Sequence, residues 1–263
     1  MKINGYYYGF ISQLTQSGYG ISRSRYNRVD AYDQGFASVV VNRLDNRLNC
    51  GVTSHQCGNA CVPRTKKCRT QLRSPAANLS RLSGVIDTEE SKIRNLPYER
   101  AVCIDPKTGK VLFHTGDRGD ATSVGFTAQE MQLAKGGVLT HNHPDLWTDQ
   151  PASDPRRRGL SFSLADIEFA SVNELQEIRA CSRSYSHSLK PPAEGWNKDF
   201  YESKLLPTYQ KHEDQVYYEY LSKIDSGRMT WEEADASFAH DIITRTSKEL
   251  KMKYTRSQIK NKP

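Results

Sequence analysis

The sequence has no apolar run near the roughly 20 residues that a membrane-spanning helix needs. Its first residues, Met1-Lys2-Ile3 followed shortly by three tyrosines, form no continuous apolar segment of the signal-peptide type. There is also no internal repeat and no long low-complexity tract. We therefore expect a soluble, cytoplasmic protein that no signal peptide exports.

What the sequence does contain is enough apolar and aromatic material for a core. Of the 263 residues, 37% are hydrophobic and 10% are aromatic, while 25% are charged. This composition argues against a disordered chain. The length allows one large domain or two modest ones.

Positive charge is concentrated in the N-terminal third. The whole chain carries a net charge of +7, and residues 1–90 hold 12 lysines and arginines against 6 acidic residues. A basic surface of this kind either binds an acidic partner or faces solvent without a binding role. Proteins that bind single-stranded nucleic acid combine basic residues with aromatic side chains that stack on the bases. The basic run at 64–73 has no aromatic residue within it. Nucleic acid is therefore a less favoured partner than protein.

Four cysteines lie close together, and their spacing leaves three interpretations open. They are Cys50, Cys57, Cys61 and Cys68, separated by six, three and six residues. Four thiolate ligands of a structural zinc, two disulfides and free thiols are all possible, although zinc sites usually contain tighter Cys-x2-Cys pairs. Disulfides require an oxidising compartment, which an extracellular particle would provide. The other two cysteines lie in predicted strands, where we expect small buried apolar side chains.

A β-hairpin is the clearest local prediction. Residues 100–105 and 110–114 have strand-like composition, and Pro106-Lys-Thr-Gly109 between them is a typical turn. A further strand is predicted at 36–41, and residues 74–80 resemble a linker or a loose helix start. We place a soft domain boundary near residue 90.

The remaining elements are predicted from capping boxes and periodicity. They comprise a helix from Thr127 to the glycines at 136–137, a strand at 138–141, a helix from Ser163 to about 178, a polar strand at 178–189, and helices at 197–226 and 229–253. His212 and His240 are predicted on exposed faces of the last two helices, and His187 shows no pattern of its own.

The segment His141-Asn142-His143-Pro144 is the strongest candidate for chemistry. Residues i and i+2 of a strand share a face, so two imidazoles at a strand end can bind one metal ion. Asp166, in the first turn of the next predicted helix, supplies a third ligand. Three protein ligands leave a fourth position open for water, as in a catalytic zinc site. The water still needs a base, for which Glu99 is the first candidate and Glu130 a rival.

At these positions the chain resembles the JAB/MPN (JAMM) metallopeptidase domain, and in particular its RadC-like branch. The order Glu99, His141-Asn-His143-Pro, Ser163-Leu-Ala-Asp166 is similar to the family pattern, and the stretch from Glu99 resembles the opening hairpin of that domain. The resemblance covers about residues 96–190. It implies a zinc ion held by the two histidines and the aspartate, Glu99 as general base, and a role for Ser163 in stabilising the oxyanion. The implied reaction is hydrolysis of a peptide or isopeptide bond.

Two features weaken this interpretation. Nineteen residues separate His143 from Ser163, so an insertion at 145–162 either forms a lid or binding loop or displaces the serine. The Ser-x-x-Asp motif taken alone is also an ordinary helix capping box. Related modules can keep a fold and lose activity.

The resemblance implies an α+β protein with a mixed sheet flanked by helices, in a three-layer, deaminase-like arrangement. Its predicted parts are an irregular, Cys-bearing N-terminal extension at 1–90, a metal-binding domain at 91–192 and a helical hairpin at 193–263. The predicted function is a zinc hydrolase acting on a peptide or protein. The alternative is a non-enzymatic assembly component of a virion or other large particle, with its Tyr-rich N-terminal arm packed on a neighbouring subunit.

Overall fold

A computed structural model of the chain describes residues 2–4, 53–57, 60–66, 75–115 and 123–259. The chain forms two compact units, one made of residues 1–19 with 78–263 and the other of residues 20–77. The strand predicted at 36–41 and most of the proposed N-terminal arm lie outside the described residues.

The strands and helices are numbered in chain order. The strands are β1 (Lys2–Asn4), β2 (Ser54–Cys57), β3 (Ala60–Pro63), β4 (Ala101–Ile104), β5 (Val111–His114), β6 (Ser123–Gly125), β7 (Val138–Asn142), β8 (Glu177–Cys181), β9 (Tyr185–Lys190) and β10 (Lys253–Gln258). The helices are α1 (Pro75–Ile93), α2 (Ala128–Ala134), α3 (Leu164–Val172), α4 (Lys198–Phe200), α5 (Leu206–Asp225) and α6 (Trp231–Glu249), with a 3₁₀ turn at Pro155–Arg158 and a π turn at Tyr201–Leu205.

In the smaller unit, β2 and β3 form an antiparallel hairpin. Cys61, on β3, is disulfide-bonded. Of the three interpretations of the cysteine cluster, this residue therefore fits a disulfide and neither a thiolate ligand nor a free thiol. The side chains of the other three cysteines lie outside the described part of the chain.

The larger unit is built on a six-stranded mixed sheet with the order β10-β9-β8-β7-β4-β5. Among the described strands of this sheet, only β7 and β8 are parallel neighbours, and a parallel pair needs a crossover connection. That crossover contains the 3₁₀ turn and α3. β1 pairs antiparallel with β6, so the first residues of the chain contact this same unit.

Helices cover both faces of this sheet because β4, one of its inner strands, is apolar on both sides. Ala101 and Cys103 of β4 join the main core, whereas Val102 and Ile104 pack in a second core with residues of α1. The main core also contains apolar side chains of α3, α5 and α6. This confirms the α+β class and the mixed sheet flanked by helices. Cys103 and Cys181 are free and fully buried as predicted, and burial raises the pKa of each thiol to about 12.

Several element boundaries differ from the sequence prediction. The polar strand expected at 178–189 is two strands, β8 and β9. Helix α6 ends at Glu249, where a helix to 253 was expected, because Lys251 adopts φ = 55°, in the left-handed region that a right-handed helix cannot contain. Of the two interpretations of residues 74–80, the helix start is the one observed, as α1, and the boundary expected near residue 90 falls inside that helix. Within the described residues, no helix has both the length and the apolar character needed to cross a membrane.

The face of the sheet under α1 carries a buried ion-pair network. Glu90, whose side chain is 2% exposed, accepts from Arg179 Nε at 2.7 Å and from the Ser186 hydroxyl at 2.6 Å. Arg94 contacts the same carboxylate at 3.4 Å, and Arg179 also pairs with Glu177 at 2.6 Å. Charges removed from water in this way depend on each other for solvation.

We expect Glu90→Gln to lower the free energy of unfolding by about 3 kcal/mol, because it leaves buried guanidinium charge under-compensated. Chemical denaturation followed by circular dichroism measures this change. Glu202→Gln is the matched control, since it breaks an exposed pair with Lys198 and should cost less than about 1 kcal/mol. Equal losses in the two variants would show that the network contributes no more than a surface pair.

Candidate metal centre

Strand β7 positions the two histidines of the predicted motif. It lies between β4 and β8 in the centre of the sheet, with His141 opposite Ala101 on one side and Ala180 on the other. His143 continues the pairing, since its backbone N–H donates to the Cys181 carbonyl at 2.9 Å. The imidazoles project on one face, and their Nε2 atoms are 3.0 Å apart.

The third residue comes from the crossover helix. Ser163 is the N-cap of α3, and its backbone N–H and hydroxyl donate to Asp166 Oδ2 at 2.7 and 2.8 Å, while the Asp166 backbone N–H donates to the Ser163 hydroxyl. The capping box thus fixes the carboxylate and leaves Oδ1 outside the cap. Oδ1 lies 3.2 Å from His141 Nε2, and Oδ2 lies 3.8 Å from His143 Nε2. We call His141, His143 and Asp166 the His/His/Asp group.

The His/His/Asp group is buried, with exposures of 0%, 3% and 0%. Burial alone would raise the pKa of the Asp166 carboxyl, but the two imidazoles beside it hold that pKa below its usual range. Burial would likewise lower the pKa of His143, and Asp166, followed by Glu99, raises it instead. Both shifts have the direction expected of an imidazole and a carboxylate that stabilise each other's charged forms inside the protein.

The donor set fits a divalent cation. One ligand atom from each residue can be chosen so that all lie within 4.8 Å of one another. Two imidazole nitrogens on a tetrahedral zinc would be about 3.3 Å apart, close to the spacing observed here. His143 Nδ1 lies 3.2 Å from the Leu160 carbonyl, which can only accept. Nδ1 must then carry the proton, and the Nε2 lone pair of the neutral ring is free for a metal. His141 Nδ1 is buried and has no hydrogen-bond partner among the described residues.

Glu99 lies on the same face as the two histidines. Ala101 is opposite His141, and the Asn142 N–H donates to the Arg100 carbonyl, so the antiparallel pairing places Glu99 beside His143. Glu99 is 3% exposed and raises the pKa of His143 electrostatically. Glu130, the rival base, accepts from the Thr127 N–H and hydroxyl in the capping box of α2.

The middle residue of the motif holds Glu99 in place. Asn142 points to the opposite face, where its Oδ1 accepts from the Arg100 N–H at 2.8 Å and its Nδ2 donates to the Tyr98 carbonyl at 2.9 Å. These two bonds bracket Glu99 in the sequence. A fully buried amide thus ties Glu99 to the strand that carries both imidazoles.

The insertion at 145–162 is packed against the end of β8 and does not displace Ser163. Arg157 pairs with Asp145 at 3.0 Å, and the Arg158 carbonyl accepts from the Ser184 N–H. Gly159 adopts φ = 96°, and a Cβ there would lie 2.1 Å from the Ser182 Cβ, so only glycine fits. This close approach sets the position of the Leu160 carbonyl, and hence of the His143 ring.

Three residues near this group were not recognised in the sequence. His187 on β9 and His240 on α6 both contact the hydroxyl of Tyr254 on β10. His240 is half-buried, and His212, also expected on an exposed face, is 9% exposed. No local spacing connects positions 187, 240 and 254. The pairing of β9 with β10 brings the first near the third, and the contact of α6 with β10 adds His240.

Comparison of the chain with models of protein families, with curated proteins and with solved structures finds no match in any of the three. The chemistry of the His/His/Asp group therefore has to be argued from its own geometry.

Proposed function

We propose that this protein is a zinc-dependent hydrolase of peptide or isopeptide bonds. The observation that carries the proposal is the convergence of two imidazoles and one carboxylate at a strand end, with a second buried carboxylate alongside. His141, His143 and Asp166 would hold the ion, which when bound acts as a Lewis acid that acidifies water and polarises a carbonyl. Three protein ligands leave room for a reacting group.

The chain's own residues then have separate roles. Glu99 takes a proton from the attacking water and returns it to the departing amine nitrogen. Asn142 keeps that carboxylate beside His143, and the Leu160 carbonyl keeps the Nε2 lone pair of His143 directed into the group. Ser163 orients Asp166 through its capping bonds, and its assignment as an oxyanion donor stays a prediction.

Turnover that depends on zinc tests this proposal. The full-length protein is stripped with a chelator, reloaded with one equivalent of zinc chloride, and mixed with fluorescent casein or with a quenched fluorescent isopeptide joined through a lysine Nε. We expect cleavage in the reloaded sample alone. A protein that binds zinc at the His/His/Asp group but cleaves neither probe would contradict the hydrolase proposal, and large oligomers on sedimentation would then favour an assembly role.

A further inference from the structure

A third histidine shares the face of the sheet that carries the His/His/Asp group. Ala180 of β8 is opposite His141 on one side and opposite His187 on the other. Residues directly opposite each other in neighbouring strands point to the same face, and strands lie about 4.8 Å apart. The backbones of His141 and His187 are therefore about 10 Å apart, and Ala180 contributes only a methyl group between the two imidazoles.

The Tyr254 hydroxyl holds His187 through one ring nitrogen. It lies 2.9 Å from His187 Nδ1, 2.7 Å from His240 Nδ1 and 2.8 Å from the Ser161 hydroxyl. The rings of His187 and Tyr254 are stacked, and Phe162 packs edge-on against both. The cluster is thus fixed by the same segment, 160–163, that orients His143 and Asp166.

A single hydroxyl proton links the two imidazoles. Tyr254 can donate to only one of its three partners. If it donates to His187 Nδ1, then His240 Nδ1 must carry a proton and donate to the tyrosine oxygen. If it donates to His240, the assignments are reversed. The tautomers of His187 and His240 are therefore complementary in each arrangement where Tyr254 donates to a histidine.

The other ring nitrogen of His187 is the open end of this chain of hydrogen bonds. His187 is 1% exposed, and its Nε2 has no hydrogen-bond partner in the described part of the chain. Burial, followed by the charges of His143, His240, Arg256 and His141, holds the pKa of His187 well below its usual range. His187 is therefore neutral and within electrostatic reach of both candidate metal ligands. His240, at the other end, is half-buried on α6, and burial lowers its pKa to about 4.

We propose that His240, Tyr254 and His187 form a proton relay between solvent and the His/His/Asp group. It rests on the proposed hydrolase function and supplies the second proton of the departing amine. A proton from water binds His240 Nε2, the His240 Nδ1 proton moves to the Tyr254 oxygen, and the Tyr254 proton moves to His187 Nδ1. The His187 Nε2 proton is then transferred to the amine, which leaves as an ammonium ion. One proton enters, one leaves, and both tautomers are inverted.

Imidazole nitrogen NMR of ¹⁵N-labelled full-length protein tests the relay without any turnover. In the metal-free wild type we expect complementary tautomers at His187 and His240, and addition of zinc chloride should shift the ring nitrogens of His187. Tyr254→Phe should abolish the complementarity, whereas Tyr218→Phe, a change at an exposed tyrosine, should preserve it. Two Nδ1-protonated rings in the wild type, or a His187 signal that does not respond to bound zinc, would overturn the relay.

Kinetics on the quenched fluorescent isopeptide give the second readout. Tyr254→Phe should lower kcat about tenfold or more with KM and zinc content unchanged. If that variant does not fold, His240→Gln serves instead, because an amide can bond to Tyr254 but cannot pass a proton on. An unchanged kcat in the folded variant refutes the relay. Absence of zinc binding or of cleavage in the wild type itself refutes the proposed function. The tautomers measured in the metal-free protein do not depend on that outcome.

Discussion

Replacement of both His141 and His143 by alanine is expected to reduce the zinc content from about one equivalent per chain to none. The two side chains supply two of the three ligand atoms, and the single carboxylate that remains, Asp166, cannot hold a divalent ion alone. Elemental analysis after gel filtration measures the metal, and circular dichroism checks the fold. Zinc retained in full by the double variant would move the site to other residues.

The matched control is the double variant His114→Ala with His212→Ala, which removes the same residue types outside the His/His/Asp group and should keep its zinc. Loss of the two buried imidazoles also leaves Asp166 as a buried charge without its partners, which destabilises the fold. If the double variant does not fold, His141→Gln carries the test, since it retains a polar side chain at this position. Its zinc affinity should fall while the protein stays folded.

Glu99→Gln is expected to lower the rate of peptide or isopeptide cleavage by about 10²- to 10⁴-fold without loss of zinc. The amide has nearly the shape of the carboxylate but cannot accept a proton from the attacking water. Steady-state kinetics on the zinc-loaded variant measure the loss, and elemental analysis confirms the metal. Glu130→Gln is the control, because its carboxylate belongs to the capping box of α2 and its loss should leave the rate unchanged.

A reversed result, with Glu130→Gln inactive and Glu99→Gln active, would transfer the role of base to the rival carboxylate. A loss of zinc in Glu99→Gln would instead make Glu99 a metal ligand. Each outcome changes the mechanism in a defined way, and none requires the substrate to be known in advance.

Local patterns in the sequence were sufficient where neighbours along the chain determine the structure. The hairpin of β4 and β5 forms around its Pro-to-Gly turn, and the capping boxes at Thr127, Ser163 and Thr230 begin helices as expected. The same holds for the pair of histidines, since strand periodicity alone puts them on one face.

Contacts between distant segments could not be read in this way. Helix α1 is stabilised by apolar packing that includes Val138 and Cys181 and by the ion pair of Glu90 with Arg179, and these partners are all far from it in sequence. The hydrogen bonds of Asn142 with Tyr98 and Arg100, just before β4, likewise depend on strand pairing. The contacts of Tyr254 with His187 and His240 depend on β10. That strand was not predicted, because the lysine-rich residues before it continue the pattern of the preceding helix.

Asp166 lies on the crossover between the parallel strands β7 and β8, and this position bears on the stability of the folded chain. A cation shared by His143 and Asp166 would close a loop over the first part of that connection, from the end of β7 to the start of α3. This would reduce the conformational entropy of the unfolded chain, an effect of about 3 kcal/mol for a closed loop of comparable length. Such an ion would tie the end of β7 to the helix that leads the chain to its parallel neighbour β8. Selection for stability alone would then be enough to preserve these three ligands, with or without catalysis.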